Sequence, residues 1–131
     1  MEGREKFQSG APWESVAGYS RAVRVNSLVV VSGTASVDDK GDVIGIGDPY
    51  RQAQRCLEII EAALQQAGAR IEHVVRTRMF VTDISLWQDF ARAHRETFKG
   101  IEPATSLVQV AKLIDPRMLI EIEADAVIDD D

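Results

Sequence analysis

Three carboxylates, Glu121, Glu123 and Asp125, alternate along one stretch of this chain. On an extended strand such residues share one face, because successive side chains project to opposite sides. Like charges so spaced repel, so the row either holds protons above the usual carboxylate range or draws in cations. Arg76 and Arg78 have the same spacing on an earlier strand-like segment and form a matching cationic row. An ion-pair ladder, at a subunit interface for example, is the plain reading of the row as a whole. One member is still free to act as a general acid or base.

Ser32-Gly33-Thr34 follows the apolar run Leu28–Val31. Glycine lets a backbone N–H approach a ligand closely, and an unpaired N–H there suits a carboxylate or oxyanion. The simpler reading is a strand exit. His73 and His94 are the only histidines, and no His, Cys or carboxylate group has metal-ligand spacing. His94 falls on the apolar side of a helical segment and reads as a core histidine. Ser32, Ser85 and Ser106 lack the G-x-S-x-G context of a hydrolase nucleophile, and there is no phosphate loop or dinucleotide fingerprint. Trp13 and Tyr19 are aromatics of the kind that line pockets or interfaces.

The chain has 131 residues, 45% hydrophobic and 27% charged, which suits one globular domain over residues 1–131. The net charge of −6 argues against nucleic acid and anionic membrane surfaces as partners. No apolar run approaches the roughly 20 residues of a membrane helix, and Met1–Gly10 has no apolar signal core. A single cysteine, Cys56, rules out an internal disulfide and fits a reducing, cytoplasmic setting. Residues 1–10 are expected to be flexible, and 129–131 to form an acidic tail.

The elements that must position these groups follow from periodicity. Ser20–Val25 alternates as a strand, Asn26-Ser27 turns it, and Leu28–Val31 is apolar at every position, as in a strand covered on both faces. Val43–Ile46 reads as a short edge strand. The clearest helix has Asp48 as N-cap, Pro49 in its first turn and Gly68 past its end. Its apolar face is Ala53, Cys56, Leu57, Ile60, Leu64 and Ala67, which makes Cys56 a core residue rather than a reactive thiol. Val74–Thr82 is a strand with Val75, Thr77, Met79 and Val81 on one face. A second helix starts near Asp83 or Ser85, with Trp87, Phe90, Ala91, His94 and Phe98 on its apolar side, and ends at Gly100. Ala104–Leu113 and Met118–Val127 are the last strands. The final one sets Met118, Ile120, Ile122, Ala124 and Ala126 against the acidic face. This is an α+β chain with both helices on one face of a single sheet. A partner subunit would then cover the second face.

Gly18-Tyr19-Ser20, Val29–Thr34, Val81-Thr82-Asp83, Pro103-Ala104-Thr105-Ser106 and Ile120–Ala124, in this order and spacing, resemble the Rid (reactive intermediate deaminase) family, also called YjgF or endoribonuclease L-PSP. The resemblance runs from about Gly18 to Val127. It implies a chorismate-mutase-like fold with a single mixed sheet, a homotrimer, and ligand clefts between adjacent subunits. It also implies hydrolysis of reactive enamines and imines, such as 2-aminoacrylate, to a keto acid and ammonia, with no metal or cofactor.

By the resemblance, Tyr19 is the cleft tyrosine, Gly33 offers backbone to the substrate carboxylate, Ser32 flanks it, and Glu121 positions or activates water. The departure is Thr105, where active deaminases carry an arginine that grips the substrate carboxylate bidentately. Leu107 likewise replaces a frequent cysteine, while Ser106 is retained. Hydrogen bonds to charged groups contribute about 1.5–3 kcal/mol, so losing the fork weakens carboxylate binding by an order of magnitude or more. Either Arg78 or Arg21 substitutes, or the substrate lacks that carboxylate. The leading reading is a Rid-like hydrolase of imines or enamines with altered range. The alternatives are a noncatalytic metabolite-binding trimer and, last, an RNA-cleaving enzyme, against which the acidic charge and the lack of a paired-histidine site both count.

Overall fold

A computed structural model describes residues 3–129. Asp130 and Asp131 of the acidic tail, like Met1 and Glu2, lie outside the described residues. Six strands form one mixed sheet: β1 (Arg4–Phe7), β2 (Ala22–Val25), β3 (Leu28–Ala35), β4 (Val74–Val81), β5 (Ala104–Gln109) and β6 (Ile120–Val127). Their order across the sheet is β1-β2-β3-β6-β4-β5. Only the β4–β5 pair is parallel, because these two strands are joined by a helical crossover rather than a hairpin. The helices are α1 (Pro12–Ala17), α2 (Pro49–Gln66) and α3 (Trp87–Thr97).

Helix α2 begins as its residue types dictate. The Asp48 side chain accepts from Arg51 N, Pro49 occupies the first turn, and Gly68 takes the left-handed conformation (φ 86°) past its end. Its apolar side packs on β3 and β6 and against α3. Beneath it, Ile120, Ile122, Ala124 and Ala126 of β6 are fully buried with Cys56, Leu57, Ile60 and Leu64. Burial pushes the Cys56 thiol well above its ordinary range, which keeps it an inert core side chain.

Several expectations change. Residues 4–7, expected to be flexible, pair with β2 as an edge strand. The sheet's other edge, β5, carries no charged residue. Residues 43–46 form only an isolated bridge, Val37 to Val43. β5 stops at Gln109, and Val110 then donates to the Val81 carbonyl. On β4, Val74 opposes Ala126 and Arg76 opposes Asp125, so Val75 is an extra residue without a partner. This bulge turns Val74 into the core and Val75 outward, the reverse of a regular alternation. Before α3, Asp83 caps a 3₁₀ turn at Ile84–Leu86, which leaves Trp87 exposed, while Ala93 joins Phe90 and Phe98 in the core.

Candidate functional site

β3 does not end at Ser32-Gly33-Thr34. Val31 opposes Ala124 and Thr34 opposes Ile122, so Ser32 and Gly33 together face the single residue Glu123. This second bulge swings the following backbone and brings Ala35 opposite Glu121. The Glu121 carboxyl then lies directly over Gly33, where a Cβ would stand 2.5 Å from Glu121 Oε2 and 2.9 Å from Cδ. The requirement for glycine is therefore space, not a positive φ. Gly33→Ala should leave stability nearly unchanged, because the end of a flexible side chain can yield. It should also displace the Glu121 carboxyl and cost activity nearly as much as losing Glu121. Matched melting curves and turnover assays would check both parts.

Glu121, Gly33 and Tyr19 line one cavity of about 370 Å³, within the ~300–1,000 Å³ typical of small-molecule sites. Its wall is mostly apolar, with Trp13 and Val16 from α1, Ile59 from α2, and Ile114 and Met118 from the approach to β6. Gln52 fixes that approach: its Oε1 accepts from Leu119 N (2.8 Å) and its Nε2 donates to the Arg117 carbonyl (2.9 Å). The Glu121 carboxyl is held above the ordinary carboxylate range, first by burial and then by the charge of Glu123, with Arg21 opposing both.

Of the two cations considered for the cleft, Arg21 lines the cavity. Its Nε donates to Glu14 Oε2 (3.3 Å), and this pair is buried, with side chains 7% and 3% exposed. Its Nη1 donates to the Gly33 carbonyl (2.8 Å) and Thr34 Oγ1 (2.9 Å), and its Nη2 to the Tyr19 hydroxyl (3.2 Å). Arg21 thus ties Tyr19 to the Gly33 bulge. Glu14 also accepts from Ser9 N (2.9 Å) and from the Ser9 hydroxyl. Sequence reasoning missed Glu14 and α1, although Pro12 at the first turn and the left-handed Gly18 (φ 76°) bracket that helix in the usual way.

The remaining candidates lie elsewhere. Ser32 Oγ donates to the Ser20 carbonyl (2.7 Å) and does not line the cavity. Arg78 pairs with Asp125 (3.2 Å) and Glu123 (3.7 Å), the ion-pair ladder anticipated for that face, and is not at the cavity. Arg76 instead donates to Ser106 Oγ (2.8 Å).

Thr105 sits on the edge strand β5, in register with Thr77, and does not line the cavity of its own chain. The buried Thr77 hydroxyl donates to Thr105 Oγ1 (2.7 Å), leaving a lone pair for His94 Nε2 at 2.8 Å. Burial lowers the His94 pKa. Thr77→Val should leave both neighbours short of a partner and cost about 1–3 kcal/mol. Thr77→Ser should recover most of it, as read from urea midpoints. Among the described residues, no group of three or more His, Cys, Asp or Glu side chains could hold a metal ion. No helix there is long and apolar enough to cross a membrane.

Residues 9–128 match Endoribonuclease L-PSP, and the chain belongs to that family, which also carries the names YjgF and Rid. It is similar to the crystal structure of Rv2704 from Mycobacterium tuberculosis, a member of the YjgF/YER057c/UK114 family. The identity is 47%, the coverage 95% of this chain and 99% of the other, and the TM-score 0.87. It is 37% identical to the uncharacterised protein SCO2049 of Streptomyces coelicolor, covering 95% of this chain and 92% of that protein. It is also 33% identical to the 3-aminoacrylate deaminase RutC of Acinetobacter baylyi, covering 82% of this chain and 84% of RutC.

Proposed function

We propose that this chain hydrolyses small reactive imines or enamines to a carbonyl compound and ammonia, in clefts between the subunits of a homotrimer. The observation that carries the reading is the Glu121 carboxyl, pKa raised, over Gly33 at the wall of an apolar cavity. A general base works best with a pKa near the operating pH. Glu121 takes a proton from water as the oxygen attacks the C=N carbon, giving a carbinolamine. It returns that proton to the nitrogen and then takes the carbinol hydroxyl proton as the C–N bond breaks, which releases the carbonyl compound and ammonia. Tyr19 and the Gly33 backbone hold the substrate. The similarity to RutC, named as a 3-aminoacrylate deaminase, supports this reaction class. The test is ammonia release from imines made in situ by an oxidase. Equal rates for wild type and Glu121→Ala would remove the mechanism.

The trimer has its own support. Leu28, Val30, Val75, Val108 and Val127 are 41–49% exposed. The apolar run Leu28–Val31, which calls for cover on both faces, is covered on only one face in a single chain. Sedimentation showing only monomer at micromolar concentration would remove this part.

A second reading is favoured by Thr105. Its hydroxyl is already engaged by Thr77, and its side chain supplies no charge for a carboxylate. A cleft that binds a metabolite without turnover predicts a ligand-dependent rise in melting temperature with no ammonia released.

A further inference from the structure

Arg21 fixes more than the Glu14 charge. A guanidinium donates hydrogen bonds and never accepts them, so each group bonded to it presents a lone pair. Its partners include two hydroxyls, Thr34 Oγ1 (2.9 Å) and Tyr19 Oη (3.2 Å). A hydroxyl that accepts from Arg21 keeps its own proton for another partner. Thr34 passes that proton to the Ser32 carbonyl (2.8 Å). Tyr19 has no such acceptor among the described residues, and it lines the cavity together with Glu121. The direction of the Arg21–Tyr19 bond is set by atoms of one chain and does not depend on what a neighbouring subunit adds to the cleft.

The arrangement is held from both sides. The Arg21 side chain is buried, with its planar fork tied to Glu14, the Gly33 carbonyl and Thr34, which leaves it little freedom to turn. Its Cζ lies 5.4 Å from the centre of the Tyr19 ring. Tyr19 N donates to the Glu14 carbonyl (2.9 Å), which fixes the base of the side chain. The adjacent positive charge polarises the phenol O–H towards an electron-rich acceptor. We infer that Arg21 is a positioning residue that makes Tyr19 a hydrogen-bond donor to the ligand, and that the atom it receives is a negatively polarised oxygen rather than an N–H group. In imine hydrolysis two oxygens fit. One is a carboxylate carried by the substrate. The other is the carbinolamine oxygen, which gains negative charge as Glu121 removes its proton.

This inference rests on the hydrolytic reading for its kinetics, and the two fail separately. Tyr19→Phe removes the O–H and leaves the ring. The substrates are imines made in situ from phenylalanine by an amino-acid oxidase and from benzylamine by an amine oxidase, with ammonia release measured above the spontaneous rate. The expected result is a fall in kcat/KM of about tenfold or more. A fall confined to the phenylalanine-derived imine and carried by KM identifies the carboxylate. A fall in kcat on both imines identifies the reacting oxygen. Arg21→Lys keeps the counter-charge to Glu14 and loses the fork. In that background Tyr19→Phe should cost about threefold at most, because an unpositioned hydroxyl has little left to lose. Should Arg21→Lys fail to fold, the double variant Glu14→Leu, Arg21→Met serves as the background. Unchanged kcat/KM in Tyr19→Phe overturns the donor role, since the O–H would then be spent on protein. Equal costs of Tyr19→Phe in both backgrounds overturn the role of Arg21. If neither imine is turned over, hydrolysis fails alone, and calorimetry with phenylacetate decides. Binding about tenfold weaker in Tyr19→Phe than in the wild type supports the inference, and equal or absent binding overturns it.

Discussion

Glu121→Gln should abolish imine hydrolysis and, at pH 7, raise the melting temperature. The first effect follows from losing the base: positioned proton transfer is worth about 10²–10⁴ in rate, and an amide cannot supply it. The second follows from linkage. The folded-state pKa of Glu121 lies above the ordinary value of 4.5. Between those two pKa values the folded chain keeps a proton that the unfolded chain releases, so stability falls as pH rises through that window. Above it the full cost of the buried charge is present, and below about pH 4.5 both states are protonated and the cost vanishes. Glutamine has the same shape and no charge. The melting-temperature gain should therefore be largest at neutral pH and shrink towards zero near pH 4. In the wild type, kcat/KM should rise with pH through the same raised pKa. A gain that did not depend on pH would show that Glu121 is not the strained group.

Glu14→Ala should be the most destabilising single change at the site, by about 3–5 kcal/mol, because it leaves the Arg21 guanidinium buried without its counter-charge. The damage would reach the cavity, since Arg21 also holds the Gly33 carbonyl and the Tyr19 hydroxyl. The double change Glu14→Leu, Arg21→Met should recover much of the stability, because an apolar pair of similar volume costs nothing in desolvation. It should not restore turnover, because Tyr19 loses its tie. Urea midpoints for the two variants check the first claim, and ammonia release checks the second. If Glu14→Ala cost less than about 1 kcal/mol, the pair would have to be solvent-screened, as surface ion pairs are.

The regular parts of this molecule were legible and the irregular parts were not. Helix α2 could be bounded from Asp48, Pro49 and Gly68, and the two faces of β6 could be separated residue by residue, because each follows one period from end to end. β1 escaped because an edge strand written Arg-Glu-Lys-Phe shows no apolar alternation. The bulges at Val75 and at Ser32-Gly33 escaped because an inserted residue shifts the register without changing composition. At the site, Tyr19, Gly33 and Glu121 were named by resemblance, and they share one cavity. The Glu14–Arg21 pair joins a six-residue helix to the residue just ahead of β2, which no local pattern announces. Its one visible sign is an arginine in the alternating row with Val23 and Val25.

The two margins of the sheet have unequal consequences for how the chain behaves in company. β1 presents Arg4, Glu5 and Lys6 in succession, so a second strand approaching it must strip water from charges of both signs. β5 reads Ala-Thr-Ser-Leu-Val-Gln, uncharged throughout, with its outer backbone groups free of a strand partner. Templated growth into fibres needs adhesion at both ends of a unit, and here one end is a terminator. Chains joined β5 to β5 would stop at pairs, leaving two charged margins outermost.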